Sequence, residues 1–156
     1  MKAVQIDGLE FESVGPIIPE SDRHGNIVEY NRHAEYENKK NLPLDRHGRG
    51  PFCKFTLDKR YAQKSGVYAM ISDEDILYIG KCVDLQNRFN VGYGNISPRN
   101  CFKGGQPTNC RINSNILKRI KRQKEIRLYF LETKCISEIE QRLIAKTRPP
   151  WNKTRA

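Results

Sequence analysis

SGVYAMISDEDILYIGKC, residues 65–82, decides how the chain is read. Two β-rich runs, Gly66–Ile71 and Ile76–Ile79, flank the polar segment Ser72–Asp75, a pattern that predicts a β-hairpin. Tyr68 follows Gly66 and Tyr78 precedes Gly80, so each strand carries one tyrosine near a glycine. A four-residue loop would set the tyrosines opposite one another or about one position out of register. Side chains so placed share one small patch of sheet surface.

Beyond Gly80 the run KCVDLQNRFN predicts a short helix, with Asp84 as N-cap and Leu85 and Phe89 on one face. Arg88 sits beside that stripe, and Gly92 and Gly94 end the helix. Residues 91–110, VGYGNISPRNCFKGGQPTNC, have no period and read as a long inserted loop. Its aromatic and basic side chains, among them Tyr93, Arg99, Phe102 and Lys103, suit a functional loop better than a plain linker. An amphipathic basic helix then places Ile112, Ile116, Leu117 and Ile120 at helical spacing. Arg111, Lys118, Arg119, Lys121, Arg122 and Lys124 surround that stripe, with no acidic residue among them. The pattern favours a phosphate-contacting face over a merely solvated one.

EIRLYFLE, residues 125–132, predicts a buried strand, and ISEIEQRLIAKT predicts a helix stopped by Pro149 and Pro150. Glu140 falls on that helix's apolar stripe of Ile136, Ile139, Leu143 and Ile144. A carboxylate facing a core needs a cation, a metal or hydrogen-bond donors. Ser137 and Glu140 also have the spacing of a capping box, and the spacing leaves both readings open.

Upstream, residues 1–51 differ in composition and read as an N-terminal extension packing on the core or on DNA. VQIDGLEFESV predicts a strand or hairpin, and DRHGRGP at Asp45–Pro51 a loop or hinge. His24, His33 and His47 stand among exposed-looking neighbours and read as solvated or DNA-facing. FCKFTL at Phe52–Leu57 predicts an edge strand that opens the main domain, residues 52–156.

The whole chain has 156 residues, enough for one domain with a core. Its 28 Lys and Arg against 18 Asp and Glu give a net charge of +10, which favours a polyanion partner, nucleic acid first. No run is apolar enough to span a membrane and the N-terminus lacks the apolar stretch of a signal peptide, so an intracellular, cytoplasmic protein is expected. Five cysteines at wide spacings form no CxxC pair, and the expectation is small core residues or loop thiols rather than a zinc site.

From Gly66 to Asn152 the chain resembles the GIY-YIG nuclease family. Gly66-Val67-Tyr68 matches the first half of the signature, with Val for Ile, and Tyr78-Ile79-Gly80 matches the second half unaltered. The run YIGKCVDLQNRF is similar to the family's strand-to-helix junction, which puts the catalytic arginine on Arg88. The family's metal-binding glutamate falls on Glu140, and Asn152 matches the asparagine of its Pro-x-aromatic-Asn ending. Many members carry His or Tyr four residues after the arginine; here that position is Gly92, and Tyr93 is the substitute one residue later.

The resemblance implies an α+β domain with a three-stranded, mainly antiparallel sheet flanked by helices. It implies metal-dependent hydrolysis of double-stranded DNA, with one Mg²⁺ or Mn²⁺ per site held by Glu140. Arg88 would grip phosphate oxygens, Tyr68 would position or deprotonate the water, and Tyr78 would orient water or phosphate. Lys81 would help to lower the tyrosine pKa. Arg99, Lys103, Arg111, Lys118, Arg119, Lys121 and Arg122 are the expected DNA contacts. A type II restriction endonuclease, with a homodimer as one way to meet two half-sites, is the first expectation. A repair or homing-type nicking nuclease and an inert nucleic-acid-binding protein on the same scaffold are the alternatives.

Overall fold

In the computed structural model, which describes residues 2–153, the chain forms two compact units. The first gathers the residues up to Ile17, Asp58–Gln86 and those from Gln123 onward; the second holds Ile18–Leu57 and Asn87–Arg122.

The first unit is α+β. Its antiparallel sheet has five strands, β1 (Val4–Ile6), β2 (Leu9–Pro16), β3 (Gly66–Ser72), β4 (Asp75–Cys82) and β5 (Arg127–Glu132), in the order β1-β2-β5-β3-β4. Three strands were expected, and the N-terminal hairpin supplies the other two. Asp7 and Gly8, with φ of 48° and 78°, form its two-residue turn. Asp-Gly is a favoured pair where both turn residues need positive φ. β2 then pairs with β5, so the first residues of the chain are part of the central sheet.

Helix α3 (Ile136–Thr147) covers one face of this sheet. Leu143 packs with Ile6, Phe11, Val67, Ala69 and Ile79, and Ile139 and Ile144 lie alongside. A fully buried side chain of this kind contributes roughly 1.5–3 kcal/mol, so the cluster outweighs any exposed ion pair. The Arg142 guanidinium also ties α3 to the first turn, donating to Asp7 Oδ2 and to the Asp7 carbonyl, each at 2.8 Å. Arg148, at φ 45°, ends the helix before Pro149 and Pro150, as the sequence predicts.

In the second unit the main element is α2 (Pro107–Lys121), which starts a turn earlier than predicted because Pro107 occupies a first-turn position that needs no N–H partner. The predicted strand at Phe52–Leu57 does not form; only Phe52 makes a bridge, to Tyr30. Side-chain amides take the place of a partner strand. Cys53 N–H donates to Asn113 Oδ1 at 3.0 Å, and its carbonyl accepts from Asn113 Nδ2 at 2.8 Å. Leu57 is held in the same two-way manner by Asn90, and Phe55 N–H donates to the Gly94 carbonyl. Asn113 Nδ2 reaches the Tyr93 carbonyl as well, at 2.7 Å.

Residues 91–110, expected as an aperiodic loop, are ordered by a π-wound turn, a 3₁₀ turn at Pro98–Cys101 and the start of α2. Phe52, Ile96, Cys101, Phe102 and Cys110 make the local core, with Tyr36, Leu42 and Leu44 against it. Four of the five cysteines are buried and Cys135 is exposed. Burial pushes the Cys53 thiol up to about 12, as befits a core residue rather than a nucleophile.

Asn113 is therefore a fully buried polar hub. Replacing it with Ala removes the hydrogen bonds it makes to the Cys53 N–H and carbonyl and to the Tyr93 carbonyl. Asn113→Ala is expected to lose about 3 kcal/mol of stability or more, since each buried orphan costs roughly 1–3 kcal/mol. Urea unfolding checks this; a loss under about 1 kcal/mol would sink the hub assignment.

Candidate functional site

The two tyrosines depend on one extra residue in β4. The hairpin turn is shorter than expected, because Ser72 pairs with Asp75 and only Asp73 and Glu74 lie between. Both have positive φ, 50° and 70°, the geometry of a type I′ turn. Ile71 pairs with Ile76, but Met70 pairs with Tyr78, so Leu77 is a bulge. With the bulge, Tyr68 pairs with Gly80 and Tyr78 sits two residues before its partner on the same face. Without it, Tyr68 would oppose Ile79 and Tyr78 would point to the other face.

The observed arrangement is therefore diagonal, with ring centroids 6.3 Å apart and planes inclined by 38°. Both rings are buried. A Cβ at Gly80 would overlap the Tyr68 hydroxyl and ring, so only glycine leaves room for this packing.

Lys81 is not brought to the tyrosines. It pairs with Val67, a residue of the core beneath α3, so strand alternation sends it to the opposite face. Its ammonium donates to Ser137 Oγ of α3 at 3.0 Å. Glu140 follows Ser137 by three residues, on the same side of that helix. The N-cap of α3 is Cys135, which leaves Ser137 inside the first turn and rules out the capping-box alternative. Glu140 is half-buried. Lys81, Ser137 and Glu140 thus line one seam between β4 and α3.

Asn152 acts on the edge of the same strand. Its Nδ2 donates to the Ile79 carbonyl at 2.8 Å and its Oδ1 accepts from Ile79 N–H at 2.9 Å. Trp151 N–H donates to the Leu77 carbonyl at 2.9 Å. The tail after α3 so pairs with an edge strand much as a further strand would, at Leu77 and Ile79 on either side of Tyr78. The Asn152 amide is a positioning group.

Arg88 and Tyr93 belong to the second unit. The chain passes from α1 (Leu85–Asn87) into a π-wound turn, Arg88–Tyr93, closed by Gly94 N–H to the Phe89 carbonyl at 2.6 Å. In ordinary α-winding the residue above Arg88 would be Gly92. The wider turn carries Tyr93 there instead, and Arg88 Nη2 donates to its hydroxyl at 2.8 Å. The guanidinium carbon lies 4.4 Å from the Tyr93 ring centre. Gly94 permits this winding, since a Cβ there would overlap the Phe55 carbonyl. The proposed replacement of Gly92 by Tyr93 thus has a structural route.

Of the expected DNA contacts, Lys103, Lys118, Lys121 and Arg122 are exposed, while Arg111 and Arg119 are half-buried. Lys121 pairs with Glu29 at 2.6 Å. Arg99 is turned inward onto its own loop, with Nη1 donating to the Lys103 carbonyl at 3.1 Å. The sequence reading missed the buried Asn109 and Asn113; two asparagines interrupting the apolar stripe of α2 were the available signal. It also left Arg46 and Arg49 unassigned, although they lie beside α2 residues in one groove.

Chemically, the first unit offers a buried pair of phenols on one face of the β3–β4 pair, and on the other face the Glu140 carboxylate in a seam where the Lys81 ammonium donates to Ser137. The second unit offers a guanidinium held by a phenol. No protein-family model, curated protein or solved structure matches the chain significantly.

Gly80→Ala is expected to displace Tyr68 and to destabilise the protein by roughly 1–3 kcal/mol through overpacking. Near-ultraviolet circular dichroism and urea unfolding report the two effects. An unchanged tyrosine signal with unchanged stability would show that the close approach is unimportant.

Proposed function

We propose that the chain is a metal-dependent endonuclease of the GIY-YIG type that hydrolyses phosphodiester bonds of DNA. The observation that carries this reading is the Leu77 bulge, which gathers Tyr68, Tyr78 and Gly80 into one patch. Those residues belong to the two halves of the signature on which the resemblance begins, and the bulge puts both phenols on one face.

Phosphodiester hydrolysis needs a positioned water, a route for its proton and neutralisation of charge on the phosphate. An ordinary tyrosine ionises near pH ~10, so Tyr68 or Tyr78 as a base near neutrality requires cations close by. Lys81 does not serve that purpose directly, since its ammonium is directed to Ser137. Its effect is on the seam that holds Glu140. The two faces of the β3–β4 pair thus carry different parts of the proposed site, the phenols on one and the Glu140 seam on the other.

Glu140 fits a divalent cation of the Mg²⁺ class. Its carboxylate is half-buried and lies outside any capping box. Among the described residues no group of three or more His, Cys, Asp or Glu gathers, so water and phosphate oxygens would complete the coordination, as Mg²⁺ prefers. A bound cation would polarise the phosphate and stabilise the leaving oxygen. Arg88, with its fork oriented by Tyr93, is assigned to non-bridging phosphate oxygens. Within this class we favour a sequence-specific restriction endonuclease, because the chain builds a whole second unit from the N-terminal segment and the central insertion.

The test is cleavage of supercoiled plasmid with Mg²⁺ or Mn²⁺. Wild type should nick or linearise it, and EDTA should abolish this. Glu140→Gln should lower the rate by about 10³-fold or more, the scale on which a charge-stabilising group acts. Tyr68→Phe and Arg88→Ala should each lose about 10²-fold or more. Wild type that binds DNA yet cuts no plasmid under any of these conditions would refute the enzyme reading. Discrete bands from linear DNA would mark the restriction type, and structure-dependent nicks would favour repair.

A further inference from the structure

The second unit contains a groove that the catalytic reading does not use. One wall is the Asp45–Pro51 loop and the other is the outer side of α2, and the space between them measures about 470 Å³. Arg46, His47 and Arg49 line it from the loop, and Arg111, Lys118 and Lys121 from the helix. No acidic residue is among the lining groups. The nearest loop carboxylate, Asp45, is turned into its own loop and accepts the His47 N–H at 2.9 Å.

The loop is fixed rather than hinged. Asp45 N–H donates to the Cys101 carbonyl at 2.8 Å, Gly48 N–H to the Asp45 carbonyl at 2.9 Å, and Leu44 bridges Phe102. Its two arginines are exposed on this anchored frame. Arg46 Nε donates to His47 Nε2 at 3.0 Å, which orients the guanidinium. Lys121 is partly neutralised by Glu29, so Arg46, Arg49 and Lys118 carry most of the charge that the groove presents.

A small organic ligand does not suit this lining, because such sites are mostly apolar with a few polar groups. Cations on two facing walls suit a continuous line of negative charge. We propose that this groove seats the phosphate backbone of duplex DNA, with Arg46 and Arg49 as phosphate contacts alongside Lys118. The choice of DNA among polyanions rests on the nuclease reading; the groove itself does not. The N-terminal segment, on this account, supplies one wall of the groove.

The experiment uses the full chain carrying Glu140→Gln, in EDTA, with a fluorescein-labelled duplex titrated at several salt concentrations. Arg46→Ala/Arg49→Ala should weaken binding at least about tenfold and lower the salt slope by roughly two, one unit for each phosphate no longer neutralised. Lys118→Glu should also weaken binding, while Lys134→Ala, exposed and in the fold's other unit, should not. Thermal melting of each variant separates weakened phosphate binding from a failure to fold. Unchanged affinity and slope in the folded double variant would overturn the groove, as would tighter binding of poly-glutamate than of duplex. Cleavage by the wild type is scored separately. Groove-dependent binding without cleavage keeps the groove and discards the nuclease; cleavage with a groove-blind affinity does the reverse.

Discussion

A single surplus residue in β4 governs the candidate site. Opposed residues on paired strands share a face, and a shift of one position moves every later side chain to the other face. The two-residue turn at Asp73 and Glu74 would set Tyr68 and Tyr78 on opposite faces if pairing ran on without interruption. The bulge at Leu77 reverses that parity. Gly80 then leaves space for the Tyr68 ring, and Asn152 and Trp151 fix the strand's free edge on either side of Tyr78. The bulge, the glycine and the tail are thus three parts of one constraint.

That constraint explains what the sequence revealed and what it withheld. Strand and helix types in β3, β4, β5 and α3 follow from period and stop signals, and α3 spans the predicted residues. Asp7-Gly8 signalled the N-terminal hairpin, yet nothing in the sequence said that β2 would pair with β5, because strand partners far apart in sequence leave no local mark. Phe52–Leu57 looked like an edge strand since its apolar residues alternate weakly. Its backbone is satisfied by Asn113 and Asn90, and an amide supplied from dozens of residues away has no periodic signature. Glu140 stood between two readings on spacing alone, and the position of the helix start at Cys135 separates them.

Charge is divided between the units in a way that composition conceals. The basic excess of the chain is a single sum in the composition, but particular cations have particular duties. Arg142 holds a turn, Arg99 closes a loop, Lys121 meets Glu29, and Lys81 meets Ser137. Arg46, Arg49 and Lys118 remain directed into one groove. A count of lysines and arginines predicts attraction to a polyanion, whereas only the placement of each side chain separates a phosphate contact from a structural clamp.

The same device appears twice. In β4 an extra residue rephases a strand, and at Arg88–Tyr93 a wider winding rephases a helix, so that Tyr93 rather than Gly92 meets the guanidinium. Each irregularity forfeits some regular backbone hydrogen bonding and is retained where it re-aims a phenol. Each also relies on a glycine at the point of closest approach, Gly80 in one case and Gly94 in the other. Periodicity locates the elements but, by construction, misassigns faces after such an insertion. Both irregularities fall on tyrosines of the candidate site, where departures from regular winding are expected to be found.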